Sequence, residues 1–527
     1  MKKAILFWVT LTSLMTACAD SGTDYLPTGD ESDAQGTAWL TLSLTLGTGT
    51  GTRSQTGNQG DSNHGTEAGT DEENLIKDAI VVFGKIADGM SDPLEVEHSF
   101  FVREFTMTGN NPALWTSKPI ACKPGKYRLA VIANPGTAVK YQDGNRPPNW
   151  SALANYGIDY SVRGLDSLKT IWGTDTDRSQ HHFLMTSAFT GDRNFSNVEL
   201  EAGRHAYKTL QVQRACARFD YIPETARTNR PYTFSTASSH RRASEGYTVE
   251  VSLTEAALMN ISNTFNLFKL VAADESPGTP PDFYRYETAR NYVYDYDWDL
   301  KRLAQQVPLL ANKLFFCSST VTGETDHTIQ PLEWVKLPEG KEGRLFYCSE
   351  NTLPGMKVQI HALSTAVVFK AYFRATGSDN RPVEEPAIYF YDGKLYTSLT
   401  QLTTDLPELG NQPTDQDLAR HEVKKFTYDA EAGGPGAGGY PMYYTYWNRH
   451  NDNGDNHVMG NMEFAVVRNN VYKLQVNSIR SFGLPKPPND PDNPWKPDNQ
   501  TPDEQPYELD ITVTVNDWVD RSIDHEI

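Results

Sequence analysis

The sequence predicts an all-β fold with minor helices, built from β-sandwich domains. Three observations carry this expectation. From about residue 75 to residue 482, short runs of apolar and β-tolerant residues alternate with Gly, Pro and Asn turns. No repeat with a period of about 20 to 50 residues runs through them, which argues against a propeller or solenoid. Two strands of equal length and strict alternation stand near the two ends, each beside a segment of linker-like composition.

The chain has 527 residues, enough for about two to four domains with cores of their own. At 38% hydrophobic and 22% charged residues, most of it has the composition of folded protein. The net charge of −19 argues against nucleic acid or an anionic membrane surface as the main partner.

The chain opens with "MKK" and the short apolar stretch "AILFWVTLTSLMTAC", which reads as a secretory signal over residues 1–17. "LMTAC" resembles a bacterial lipobox and makes Cys18 the site of lipidation, although its leucine lies one place further from the cysteine than usual. The competing reading is a plain signal peptide with an incidental cysteine. No later run of about 20 apolar residues exists to span a bilayer. Cys122, Cys216, Cys317 and Cys348 fit no CxxC metal pattern. "LFFCSS" and "LFYCSE" read as strands able to pair Cys317 with Cys348, with free buried thiols the equal alternative.

Residues 19–36 are a polar, acidic tether. In "AWLTLSLTL", Ala38, Leu40, Leu42, Leu44 and Leu46 fall on one face, and Trp39, Thr41, Ser43 and Thr45 on the other. This predicts a strand with one buried and one exposed face. Residues 47–73 are rich in Gly, Thr, Ser, Asn and Asp and read as a loop open to proteases. Arg53 is the only Lys or Arg between Lys3 and Lys77, so a trypsin-like enzyme meets a single target there.

From Leu75, strand-like segments continue to a long closing strand at residues 203–223, "GRHAYKTLQVQRACARFDYIP". "SALANYGIDY" is a candidate for short helices. A second β-rich region extends to "MEFAVVRNNVYKLQVNSIRSFG". Residues 483–506 hold eight prolines, which favours an extended spacer of roughly 70 Å. In the terminal segment Tyr507, Leu509, Ile511, Val513 and Val515 alternate with Glu508, Asp510, Thr512 and Thr514. The resulting division is 1–17 signal peptide, 18–53 lipidated propeptide with a removable strand, 54–225 N-terminal sandwich, 226–482 C-terminal sandwich, 483–506 stalk and 507–527 terminal strand.

A lone amphipathic strand on a long spacer has no evident local partner, and an unpaired apolar edge is a liability. Pairing with another chain gives the spacer a purpose and the alternation a register. Five apolar side chains contribute on the order of 1.5–3 kcal/mol each on burial. Ordering the segment costs roughly 1–2 kcal/mol per residue, so backbone hydrogen bonds must contribute as well. The first and last strands then compete for one groove. The first wins while tethered, through its high effective concentration, and cutting at Arg53 ends that advantage.

The opening strand ending at an arginine, "VVRNNVYKLQVNSIRSFG", the Pro/Asp/Asn stalk and "ELDITVTVNDWVD" resemble the fimbrillin subunits of Bacteroidetes type V pili, and most nearly the structural subunit of the short, minor fimbriae. Weaker likeness runs through "VQRACARFDYIP" and "RNYVYDYDWDL". The resemblance implies two transthyretin-like β-sandwich domains in tandem, with exchangeable N-terminal and C-terminal strands. It implies Cys18 as lipid site, Arg53–Ser54 as the bond cut by an arginine-specific, trypsin-like protease, and residues 507–519 as donor strand.

Other motifs have plainer readings. "RHNDNGDNH" (449–457) lacks the calcium-loop order ending in glutamate and reads as an Asn/Gly turn. His181 and His182 are adjacent and face opposite ways in a strand, which disfavours joint metal binding. "GTGTGT" lacks the lysine of a phosphate loop. No GxSxG or HExxH occurs. The abundant tyrosine and tryptophan suit sandwich packing, with sugar stacking the alternative.

The expectation is therefore a non-enzymatic fimbrial shaft subunit without metal or cofactor. Its partners are copies of itself, accessory tip and anchor subunits, the processing protease and the precursor's acyl chain (palmitate). The precursor is anchored in the outer membrane and the fibre supports adhesion, biofilm formation and virulence. The alternatives are a monomeric glycan-binding surface lipoprotein, an anchor or tip subunit, or a secreted hydrolase.

Overall fold

The computed structural model describes the chain over residues 36–46, 66–90, 92–108, 114–136, 150–172 (except 155 and 162), 182–187, 196–223, 231–238, 246–272, 292–297 (except 295), 313–317, 330–353, 358–432, 438–493 (except 453, 461 and 491), 501–504 and 508–519. Strands dominate these residues, and the helices are short. The segment Leu399–Asp405, capped by Ser398, and the segment Asp415–Arg420, capped by Thr414, are typical of the helices. No described helix is long and apolar enough to cross a membrane.

The largest sheet has ten strands. Its chain order starts with β1 (Ala38–Leu46); β2 (Thr66–Ala68) belongs to another sheet. There follow β3 (Ala79–Lys85), β4 (Val96–Val102), β5 (Phe105–Thr108), β6 (Leu114–Ser117), β7 (Ile120–Cys122), β8 (Gly125–Ala133), β9 (Met185–Ser187), β10 (Asn197–Leu200) and β11 (His205–Arg214). The spatial order is β4-β3-β8-β9-β11-β1-β6-β5, with β10 paired to β8 and β7 to β1. The continuous apolar run "AIVVF" in β3 reflects this placement, because β3 is buried on both faces.

A second sheet has five strands: β2, β12 (Cys216–Tyr221), β13 (Gly343–Ser349), β14 (Asn470–Ile479) and β15 (Leu509–Val519). Their spatial order is β2-β15-β14-β12-β13. A third sheet, of eight strands, is built around the long antiparallel pair Gly246–Met259 and Ala366–Gly377. Apolar side chains from all three sheets, such as Leu42, Phe219 and Phe373, join one contiguous core. The architecture is all-β, with curled sheets packed in sandwich-like layers.

One expectation is corrected by the strand order. The segment 203–223 is two strands: β11 ends in the first sheet at Arg214 and β12 starts in the second at Cys216. At the corner the Ala215 amide donates to the Leu184 carbonyl at 2.9 Å, and the Arg214 side chain is wholly buried. Alternation alone does not reveal such a change of sheet. The pairing partners of the cysteine strands also differ from each other. Leu314–Phe315 pairs with Ile261–Ser262, whereas β13 pairs with β12. Cys122, Cys216, Cys317 and Cys348 are free and buried, and burial pushes the Cys122 thiol up to about 12.

Candidate functional site: the two terminal strands

The groove filled by β1 is made by β11 on one side, parallel to it, and by β6 and β7 on the other, antiparallel. Leu42 pairs with Lys208 and Leu44 with Leu210 across the parallel edge. Ala38, Leu40, Leu42, Leu44 and Leu46 are 0–1% exposed, so the expected apolar face is buried along its whole length. The opposite face is not open as the alternation predicts. Thr41 and Thr45 are buried as well, and only Trp39 and Ser43 are half-buried. The reason is position: β1 is an interior strand, and its neighbours' side chains cover the polar face. Thr41 Oγ1 lies 2.7 Å from His205 Nε2, and Ser43 Oγ lies 3.0 Å from Thr116 Oγ1. The Trp39 amide donates to the Arg204 carbonyl at 2.9 Å, and the Leu42 amide to Ser117 Oγ at 3.0 Å.

The closing strand does have a local partner, contrary to the sequence reading. β15 runs antiparallel to β14, with Val476 opposite Ile511, Leu474 opposite Val513 and Tyr472 opposite Val515. On its other edge β2 pairs with its last three residues, with Glu67 opposite Trp518. Leu509 and Val515 are 3% and 6% exposed, but Ile511 and Val513 between them are only half-buried.

The proline-rich stretch is likewise no free-standing spacer where it is described. Leu484 bridges to Tyr443, and Asp490 closes a turn onto the Pro487 carbonyl at 3.0 Å. Asn489 donates to the Gln330 carbonyl at 2.8 Å. Further on, the buried Asp503 accepts from Arg449 at 2.6 Å. Proline fixes φ without imposing extension, and the Asn and Asp residues between the prolines supply turns and tethers to the body.

The end of β15 is fastened by Trp518, which is fully buried. By alternation it lies on the face opposite Leu509 and Val515. There Tyr347 stacks on it at 5.9 Å and Phe183 meets it edge-on at 5.7 Å. The guanidinium groups of Arg214 and Arg218 lie 4.3 and 5.3 Å from its ring centroid. Arg214 also donates to the Trp518 carbonyl at 3.0 Å and to the Glu73 carbonyl at 3.0 Å. Its other end bonds Asn74 Oδ1.

This cage depends on the short helix α1 (Asp71–Asn74), which Thr70 and Glu73 close with a capping box. The Glu73 carboxylate accepts from Arg218 at 2.9 Å and from the Tyr347 hydroxyl at 2.5 Å. Burial opposes its charge, but Arg218, Tyr347 and the Thr70 amide outweigh burial and hold its pKa below the ordinary value. For Asp220 burial prevails over Arg218 and raises the pKa. Glu67, Asp220 and Glu342 bring carboxylate oxygens within 4.8 Å of one another. That cluster already holds cations of its own: Arg218 on Asp220 at 2.8 Å, and Lys473 on Glu67 and Glu342 at 2.7 Å each.

Cys18, Arg53, Ser54 and Tyr507 lie outside the described residues, as does His181. In "RHNDNGDNH", Asp452 accepts from the Gly454 amide at 2.8 Å and Asp455 from the His457 amide at 2.9 Å, closing local turns. Sequence reasoning missed Trp518, Arg214 and α1. The one signal was available in "NDWVD": a tryptophan out of phase with the apolar face marks a second contact.

Residues 439–524 match the family model described as the major fimbrial subunit protein type IV, fimbrillin, C-terminal. The C-terminal part of this chain is thus similar to the C-terminal region of fimbrillins. The matched fimbrillin segment contains both β14 and β15, the strand pair at the centre of the second sheet. No curated protein is significantly similar to the chain in sequence. Among solved structures, a putative cell adhesion protein of Parabacteroides distasonis is 12% identical, covering 92% of this chain and 99% of its own, at TM-score 0.40. A fimbrilin of Porphyromonas gingivalis is 13% identical over 92% of this chain and 99% of its own, at TM-score 0.37. The tip fimbrial protein Mfa3 of P. gingivalis is 10% identical over 92% and 100%, at TM-score 0.32. None of these scores reaches 0.5.

Proposed function

We propose that the chain is a structural subunit of a fimbrial shaft, non-catalytic and displayed at the cell surface for adhesion and biofilm formation. In this reading it is exported as a precursor lipidated on Cys18 and cleaved between Arg53 and Ser54 by an arginine-specific protease. It then polymerises when the closing strand of one copy replaces β1 in the next. Tip and anchor subunits join the same fibre.

The observation that supports this most is a difference in burial between two like-patterned strands. β1 buries all five of its apolar side chains, whereas β15 leaves Ile511 and Val513 half-exposed in its own molecule. Moving β15 into the emptied groove covers that remaining apolar surface, at about 25 cal/mol per Å², against the loss of its pairing with β14 and of the Trp518 cage. The tether at Arg53 keeps β1 in place until it is cut.

One observation favours the rival, a monomeric surface lipoprotein: β15 is paired within its own sheet, with β14 over residues 509–517 and with β2 over residues 517–519. Under the fimbrial reading that is the resting position of the precursor. The experiment is Arg53→Ala in the producing bacterium. The expected result is lipidated monomer, with wild-type surface fibres starting at Ser54 and running as SDS-resistant ladders. Wild-type fibre yield from the variant would reject the proposal.

A further inference from the structure

We infer that in the fibre a second copy's closing strand takes the β1 groove in one register and one direction, with Leu509, Ile511, Val513 and Val515 at the places of Leu40, Leu42, Leu44 and Leu46. This inference rests on the exchange reading above and specifies its interface. Occupying the site of β1 in the same direction keeps the strand parallel to β11, as the groove's edges already accommodate.

Alternation permits only slips of two residues, since a slip of one turns the apolar face outward. In the inferred register Pro506 falls on Thr37, whose carbonyl accepts from the Gly203 amide at 2.8 Å. Proline keeps that carbonyl acceptor. Sliding the strand so that Pro506 falls on Trp39 removes the amide that donates to the Arg204 carbonyl, and brings Gln505 to the wholly buried place of Ala38. Sliding it two residues the other way puts Asp517 at Leu46, which is 1% exposed, and an unpaired carboxylate there is costly. In the inferred register Tyr507 takes the buried place of Ala38, the one increase in volume on the apolar face, so that end of the groove must widen to admit its ring.

The polar face fits the same register. Asp510 takes the place of Thr41, beside His205, which is exposed and already within 2.7 Å of the Thr41 hydroxyl. Thr512 takes the place of Ser43, whose hydroxyl meets Thr116. A carboxylate facing an imidazole and a hydroxyl facing a hydroxyl replace two hydroxyl contacts without loss of partners. The groove therefore selects its donor by Asp510 and Thr512 on the polar face, and by Pro506 and Asp517 as stops at the two ends.

The test uses full-length chains carrying Cys18→Ser. An acceptor with Thr116→Cys is mixed with donors carrying Asp510→Cys, Thr512→Cys or Thr514→Cys, the tether is cut by limited digestion with an arginine-specific protease, and disulfides form under mild oxidation. Ser43 and Thr116 are direct cross-strand partners, a separation that suits a disulfide. The expected result is intermolecular cross-linking at least about fivefold stronger for Thr512→Cys than for the other two. Polymers that cross-link through residue 510 or 514 instead overturn the register and leave the exchange reading standing. No intermolecular species with any donor rejects the exchange reading itself, and this inference with it. A second readout is charge: His205→Glu is expected to slow polymer growth about tenfold, and Asp510→Lys in the same chain to restore it. Failure of the double variant to recover overturns the Asp510–His205 contact.

Discussion

Arg214 grips Trp518 twice, with its guanidinium 4.3 Å from the ring centroid and one N–H donating to the Trp518 carbonyl at 3.0 Å. Arg214 ends β11, the strand that also forms one wall of the β1 groove. The two terminal strands are thus held by one element, β1 along residues 205–212 and β15 by the strand's last residue, Arg214. This link makes the closing strand's anchorage measurable separately from its apolar stripe.

Trp518→Ala empties the cage of Tyr347, Phe183, Arg214 and Arg218. Loss of a fully buried tryptophan costs about 3–5 kcal/mol, and two buried guanidinium groups lose their ring partner. The expected outcome is faster hydrogen exchange in residues 508–519 of the precursor, with little change in the third sheet around Gly246–Met259. Uniform loss of protection would mean that Trp518 holds the whole chain together, and the local-anchor account would be wrong.

Glu73 gives the cage a dependence on acid. Its folded pKa lies below the ordinary 4.5, so its stabilisation is fully present above that value and is lost as pH falls through the lowered pKa. Glu73→Gln removes one partner of the buried Arg218 pair, which costs about 3–5 kcal/mol where the wild-type carboxylate is charged. Thermal unfolding is therefore expected at clearly lower temperature for the variant near neutral pH. The two curves should converge well below pH about 4. A constant gap across that range would show that the charge of Glu73 is not what matters.

The groove itself responds to volume. Leu44 is fully buried and faces Leu210 on β11, so Leu44→Ala leaves a cavity costing about 2.7–5 kcal/mol in the precursor. Once β1 has departed, the same substitution has no place in the assembled fibre. Precursor melting should fall while fibre melting stays at the wild-type value; a matched fall in both would place β1 in the finished polymer.

The sequence made the two alternating strands legible because a period of two needs only local information. Ala38–Leu46 is a strand with its apolar face inward, and Leu509–Val519 is a strand as well. What stayed hidden depends on partners distant in sequence. The burial of Thr41 comes from His205, 164 residues away. The docking of β15 comes from β14 and from a three-residue strand at 66–68 inside a segment read as loop. The change of sheet at Ala215 leaves no mark in a run where alternating residues continue on both sides. Proline content misled for a different reason: composition reports the stiffness of a spacer, while Asn489 and Asp503 tie the described parts to the body.

Val513→Asp separates the resting place of the closing strand from its proposed destination. Deleting residues 507–527 would not, because it removes a central strand of the second sheet together with Trp518, and a misfolded subunit also fails to polymerise. In the precursor Val513 is only half-buried opposite Leu474, so a carboxylate there keeps part of its hydration. The cost should stay near about 1–2 kcal/mol, well short of unfolding the sheet. In the β1 groove the same residue would take the place of Leu44, which has no exposure, and an unpaired buried carboxylate is far more costly there. The expected outcome is a precursor that folds, docks β15 and is cut at Arg53, yet forms no fibre, measured by melting temperature, N-terminal sequencing and electron microscopy of sheared material. Fibres at wild-type yield from this variant would sink the donor role of Val513, since no rearrangement of the groove hides a charge from a strand it encloses.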